Sequence, residues 1–209
     1  METGSMTQKE MKQNGQIGCI IMASGQSVRY GKNKLLEKLG EKEVIWHVAE
    51  HLREAGLTAV TVTRSEKVKA LLEQEGFDCI LHSGEKKSDT MHVGIRSLSK
   101  EVSGYLFMPG DQPVVLPDTL KKLAEQFMND PERPVRLGFE KTAGSPVLFP
   151  VSYREELLAY LGERGGMEVL KKKRTSCDVV QASFAWELWD IDTPDKMEMV
   201  RAVYNQYFQ

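Results

Sequence analysis

The stretch Ile17-Gly18-Cys19-Ile20-Ile21-Met22 is apolar or small at every position. It passes at once into Ala23-Ser24-Gly25-Gln26-Ser27-Val28-Arg29-Tyr30-Gly31-Lys32-Asn33-Lys34, which is small, polar and basic. Successive side chains of a strand point to opposite faces, so a run apolar on both faces belongs at the centre of a sheet covered on both sides. Parallel sheets are the kind built that way. The remaining pattern agrees. Short apolar runs predict strands over 17–22, 59–63, 77–81, 105–108, 135–139, 146–149 and 186–189. Amphipathic stretches between them predict helices over 44–55, 67–74, 91–98, 120–128, 153–161, 167–173 and 194–207. Thr193 fits the N-cap of the last helix, with Pro194 in its first position and Asp195 in its first turn.

Repeated strand–helix–strand order implies right-handed crossovers. The expected fold is a single-domain α/β architecture, Rossmann-like, with a mostly parallel twisted sheet and helices on both faces. The 209 residues suit one such domain, read here as 17–209, with 1–16 expected to be disordered or tag-derived. Residues 129–133, with Pro131 and Pro134, form the clearest break. The chain carries 28 Lys and Arg against 30 Asp and Glu, a net charge of -2, so no global field favours nucleic acid or a membrane surface. No apolar run approaches the roughly 20 residues that span a bilayer. No secretory h-region opens the sequence, and Cys19, Cys79 and Cys177 form no disulfide framework. A cytoplasmic protein is expected.

The loop after the first strand lies where open α/β sheets bind ligands. Its small residues let backbone N–H groups approach a phosphate, while Arg29 offers a planar fork and Lys34 a compact ammonium. It is not a Walker A loop, because Gly25 and Gly31 enclose five residues and Asn33 follows Lys32. Nor is it a dinucleotide fingerprint, since Gln26-Ser27 supplies no second glycine. Downstream, Tyr105-Leu106-Phe107-Met108-Pro109-Gly110-Asp111-Gln112-Pro113 reads as a strand and a tight turn that exposes Asp111. A carboxylate there is placed to hold a divalent cation on phosphates. Ser88-Asp89-Thr90-Met91-His92-Val93-Gly94 admits two readings, a nucleotide contact or Ser88 as a helix N-cap. Asp190-Ile191-Asp192-Thr193-Pro194 places a further carboxylate just before the last helix.

The first loop resembles the signature of the molybdenum cofactor nucleotidyltransferases, the cytidylyltransferases above all, and Gly-Asp-Gln-Pro, the Ser88 segment and Asp-Ile-Asp-Thr-Pro follow in that family's order. The likeness runs from about Gly18 to Asp195. It implies the nucleotide-diphospho-sugar transferase type of fold and transfer of a nucleotidyl group from an NTP to the terminal phosphate of a molybdopterin-type acceptor, with release of pyrophosphate. By that resemblance Arg29, Lys34 and Asp111 are catalytic, and Asp111 and Asp192 bind Mg²⁺, with Mn²⁺ as an alternative. Ala23, Ser24, Gly25, Ser27, Arg29, Gly31, Lys34, Ser88, Thr90 and Gly110 contact the nucleotide. Ser145, Pro146, Gly165 and Gly166 lie on the acceptor side, and a molybdenum hydroxylase-type enzyme would receive the product. Ser24, where the guanylyl branch has glycine, narrows the base pocket and favours CTP. Ser145, Glu163 and Met167 depart from the family's usual residues and leave the acceptor open.

His47-Val48-Ala49-Glu50-His51 matches the H-x-x-E-H pattern of inverted zinc peptidases. The helical wheel sets both histidines beside the core stripe toward the polar side, so a surface-flanking helix is expected instead. The run Lys171-Lys172-Lys173-Arg174 suits the last turn of a helix, whose dipole favours cations. Trp186 and Trp189 are read as packing. A nucleotide-binding regulator without turnover is the remaining alternative, and the retained Asp111 and Asp192 argue against it.

Overall fold

A computed structural model describes residues 16–25, 30–99, 101–173 and 176–208. Strand β1 (Gln16–Ala23) leads through a 3₁₀ turn at Lys34–Leu36 into a small hairpin, β2 (Lys38–Leu39) and β3 (Lys42–Glu43). Then follow α1 (Val44–Glu54), β4 (Ala59–Thr63), α2 (Glu66–Gln74), β5 (Asp78–Leu81), α3 (Lys87–Ser97), β6 (Val102–Pro109) and α4 (Pro117–Asn129). The C-terminal half contains β7 (Val135–Phe139), β8 (Thr142–Pro150), α5 (Arg154–Ala159), α6 (Met167–Lys173), β9 (Asp178–Gln181) and α7 (Pro194–Tyr207).

Seven of the described strands form one sheet in the order β5-β4-β1-β6-β8-β7-β9, and β2 pairs with β3 apart from it. Only β8 runs against its neighbours β6 and β7. The sheet is therefore mostly parallel, as the alternation of elements predicts, and β1 sits inside it between β4 and β6. Its two faces serve two cores. Cys19, Ile21 and Ala23 join Val44, Ile45, Val48 and Leu52 of α1, whereas Ile20 joins Met91 and Ile95 of α3. The contact with α3 is close because Gly94 has no side chain: a methyl there would stand 2.5 Å from Ile20 Cγ2.

Three expectations need correction. Residues 186–189 are not a strand but a 3₁₀ turn, Ala185–Leu188. The fully buried Glu187 folds the chain back, its Oε1 accepting from the N–H groups of Ser183 and Phe184 and its Oε2 from that of Leu116. The edge strand is instead β9, a four-residue element too short and too polar at its ends for its periodicity to stand out. Ser88 does not cap α3; it lies within the helix, fully buried. The capping carboxylate is Asp89, whose Oδ2 accepts from the N–H of Lys86 at 3.0 Å.

The histidines of the H-x-x-E-H pattern are likewise not on a polar flank. Only 4% of His47 and 6% of His51 is exposed, because α7 covers them. His47 packs edge-on against Tyr204, and His51 stacks on Phe208. Each ring uses a nitrogen on a carbonyl, His47 Nε2 on Leu39 at 2.7 Å and His51 Nδ1 on Val115 at 3.0 Å. No set of three or more His, Cys, Asp or Glu side chains converges on a metal position among the described residues. Thr193 does cap α7, accepting from the N–H of Lys196. Lys173 pairs with Glu156 and lies over Tyr153, so the visible part of the basic run belongs to the surface. No helix among the described residues is long and apolar enough to cross a membrane.

Candidate active site

The C-terminal ends of β1, β4 and β6 open onto a cleft of about 580 Å³. Three chain segments supply its charged centre. Asn33 caps the 3₁₀ turn by accepting from the N–H of Leu35, which fixes Lys34 at the start of the turn. Gly110 brings the turn after β6 against β1, its N–H donating to the Met22 carbonyl at 3.1 Å; a methyl at Gly110 would lie 3.1 Å from Ile45. Asp111 follows directly. The third segment precedes α7, where the N–H of Ile191 donates to the carbonyl of Asp111 at 3.0 Å.

The outcome is one ammonium between two carboxylates. Lys34 Nζ is 2.5 Å from Asp111 Oδ2 and 3.2 Å from Asp192 Oδ1. Only 10% of the Lys34 side chain is exposed, against 20% and 41% for its partners. Burial alone would lower the Lys34 pKa, but Asp111 and then Asp192 outweigh it, and the ammonium is held above its ordinary range. Asp190 stands beside this group and remains exposed as a residue. Partial burial of its carboxyl and the charge of Asp111 push it up to about 6, while a hydrogen bond from Gln112 opposes that shift.

A second network holds the start of the first loop. Ser24 Oγ donates to the carbonyl of Val62 at 3.2 Å and lies 2.7 Å from His82 Nε2. Arg64 donates to the Ser24 carbonyl through Nε at 3.1 Å and Nη2 at 2.6 Å. Thr63 Oγ1 donates to the carbonyl of Ala23 at 3.0 Å. Arg64 and His82 follow β4 and β5, at the edge where this sheet type presents its ligand residues; that rule was the available signal for both.

Ser24, Gly25, Lys34, Thr90, Asp111, Asp192, Ser145, Gly165 and Gly166 all line the cleft. Ala23 is the buried end of β1, and Gly31 makes a turn with φ +82°. Pro146 is buried in β8. Ser88 braces the cleft from behind: its Oγ accepts from the N–H of Gly162 at 3.2 Å, and its own N–H donates to the Gly162 carbonyl. Ser27 and Arg29 lie outside the described residues.

A "Probable molybdenum cofactor guanylyltransferase" of Thermococcus sibiricus is 28% identical over 110 residues, 52% of this chain and 54% of that protein. The chain thus spans about half the length of that relative. A second protein of the same name, from Pyrococcus horikoshii, is 25% identical over 148 residues, covering 69% of this chain and 72% of the other. Among solved structures, a nucleotidyl transferase from Methanothermobacter superposes with a TM-score of 0.81 at 22% identity, over 91% of this chain and 98% of the other; at that identity it speaks for the fold alone. The family model described as "MobA-like NTP transferase domain" matches residues 19–177, from inside β1 to the residue before β9. By that match the chain belongs to the MobA-like NTP transferase domain family.

Proposed function

We propose that this chain transfers a nucleotidyl group, CMP in first place, from an NTP to the terminal phosphate of a molybdopterin-type acceptor and releases pyrophosphate. The observation that carries this reading is the Asp111–Lys34–Asp192 bridge in the lining of the cleft. Two carboxylates that converge on one ammonium offer hard oxygen donors to a cation. That donor set fits a divalent ion such as Mg²⁺, or Mn²⁺ as an alternative. Asp111 and Asp192 would hold it, and it would supply neutralisation of charge on phosphate oxygens.

The remaining work falls to the chain. Phosphoryl-type chemistry asks for positioning and charge complementarity more than for a protein nucleophile. Lys34, with its charge secured, is the cation to meet phosphate oxygens. Gly25 admits the triphosphate to the backbone, and Arg29 supplies a fork to it. The acceptor phosphate attacks the α-phosphorus in line, and pyrophosphate leaves from the opposite side. Ser145, Gly165 and Gly166 bound the far wall, where the acceptor would enter.

CTP is favoured as donor because Ser24 carries a side chain at the start of the first loop and that side chain is held in place. The Ser24 hydroxyl is engaged by Val62 and His82, and the Arg64 guanidinium is folded against the Ser24 carbonyl. A smaller base suits such an arrangement. The names of the two archaeal relatives support guanylyl transfer as the second reading. Pyrophosphate release with Mg²⁺ and each of CTP, GTP and ATP, with and without molybdopterin-type acceptor, separates the two. Acceptor-dependent release that prefers CTP is expected. Preference for GTP would overturn the base assignment, and release that ignores the acceptor would overturn the acceptor.

A further inference from the structure

His82 lies outside every sequence motif of the chain, yet it joins three parts of the cleft. Its Nδ1 accepts from the backbone N–H of Gly84 at 3.2 Å. An amide N–H can only donate, so Nδ1 carries no proton and the neutral ring has its proton on Nε2. That proton is directed at Ser24 Oγ, 2.7 Å away, with Thr90 Oγ1 as a neighbour at 3.2 Å. Ser24 in turn gives its hydroxyl proton to Val62. Every donor and acceptor in this chain of bonds is therefore oriented, and the bond from Gly84 holds only while the imidazole is neutral.

We propose that His82 is a positioning residue of the nucleotide site, holding the start of the first loop through Ser24 and the turn at 82–84 through Gly84, and that its protonation weakens nucleotide binding. This rests on the nucleotidyl-transfer reading above. A proton added at Nδ1 points at the Gly84 N–H, turns an acceptor into a donor and breaks that bond. The turn held by that bond leads into Glu85 and Lys86, which line the cleft, so the disturbance reaches the ligand through the turn. The charged groups facing the ring are Arg64, which follows β4, and Asp89 of α3. Burial and then the Arg64 charge keep the imidazole below its ordinary range, with Asp89 pulling the other way. The switch thus acts on the acid side of neutrality.

The test is calorimetric titration of the full chain with Mg·CTP and with Mg·GTP, without acceptor, between about pH 8 and about pH 5.5. Three proteins are compared: wild type, His82→Gln and His82→Phe. Gln places a non-titrating N–H where Nε2–H stands, whereas Phe removes both hydrogen bonds. Wild type is expected to lose more affinity than His82→Gln as pH falls, the excess growing toward the scale of one lost hydrogen bond, about five- to tenfold, as the ring becomes charged. Protonation of the γ-phosphate acts on both proteins alike and cancels in the comparison. His82→Phe should bind about five- to tenfold more weakly even at the alkaline end, while unfolding cooperatively near the wild-type temperature. Parallel pH profiles for wild type and His82→Gln, or wild-type affinity in His82→Phe, would overturn the assignment of His82 alone. A wild-type protein that binds neither nucleotide at any pH would overturn this proposal together with the reading it rests on.

Discussion

The N–H of Ile191 donates to the carbonyl of Asp111 across 3.0 Å, although the two residues are far apart in the chain. That bond fastens the turn before α7 to the turn after β6, and it is what brings Asp192 and Asp111 to the same ammonium. Asp111→Asn keeps the shape of the side chain and the backbone bond but removes one of the two charges. Turnover should fall by about 10²–10³ with the melting temperature nearly unchanged, the usual scale for losing one preorganised electrostatic contact. Pyrophosphate release and a melting curve on the same preparation check it. Asp111→Asn turning over as wild type does would exclude Asp111 from the machinery.

Gly94 is where α3 touches the central strand. An added methyl would stand 2.5 Å from Ile20 Cγ2 and 3.0 Å from Ile20 Cδ1, and both partners sit in a filled core. Gly94→Ala should therefore destabilise the protein by about 1–3 kcal/mol despite alanine's better helix propensity. Urea unfolding measures this, and Ile20→Ala, which removes Cγ2 as well as Cδ1, should cost less in the Gly94→Ala background than in wild type. A stabilised Gly94→Ala would show that α3 shifts freely on β1.

Part of this arrangement is legible in the sequence. The central position of β1 followed from a run with no polar face, and Asp111, Lys34 and Asp192 followed from motifs that each sit at a strand end or a helix start. Those signals are local, and each lies within about ten residues of chain. What escaped was set by partners distant in sequence. His47 and His51 read as flanking positions because the wheel of α1 carries no information about Tyr204 and Phe208, which bury them. Glu187 turned a predicted strand into a 3₁₀ turn through a bond to Leu116 that no short window contains. Arg64 lines the cleft and His82 supports its Ser24 and Thr90 only because β4 and β5 line up beside β1, a fact of sheet order and not of composition.

His51 gives the protein an acid-sensitive stability. Burial, and then the neighbouring His47, lower its pKa to about 4 from an ordinary value of 6.5. The unfolded chain takes up a proton near the ordinary value, whereas the folded chain resists doing so until about pH 4. Between those limits the unfolded state binds more protons, so stability falls as pH falls. At about pH 5 the cost of this one group is about 2 kcal/mol relative to neutral pH. His51→Gln keeps a donor for the Val115 carbonyl and removes the titration. Urea unfolding at about pH 7.5 and about pH 5 should show a smaller acid loss for His51→Gln than for wild type. Equal losses would mean that other groups carry the acid sensitivity.

Glu187 couples fold stability to the site without touching it. Its carboxylate is fully buried and accepts three backbone N–H groups, those of Ser183 and Phe184 on one oxygen and that of Leu116 on the other. The first two belong to the turn that leads into Asp190 and Asp192; Leu116 closes the loop that begins at Asp111 and immediately precedes α4. The side chain is thus a strut between the two segments that carry the carboxylates. In Glu187→Gln the amide oxygen still serves one pair of donors, but the amide NH₂ meets the third N–H donor against donor. The loss should be about 1–3 kcal/mol, and larger for Glu187→Ala, which strands all three. Because the strut sets where Asp192 stands, kcat should fall along with stability at temperatures where the variant is still fully folded, while KM for the nucleotide changes less. A variant with lower melting temperature but wild-type kcat would show that the Ile191–Asp111 bond alone aligns the carboxylates.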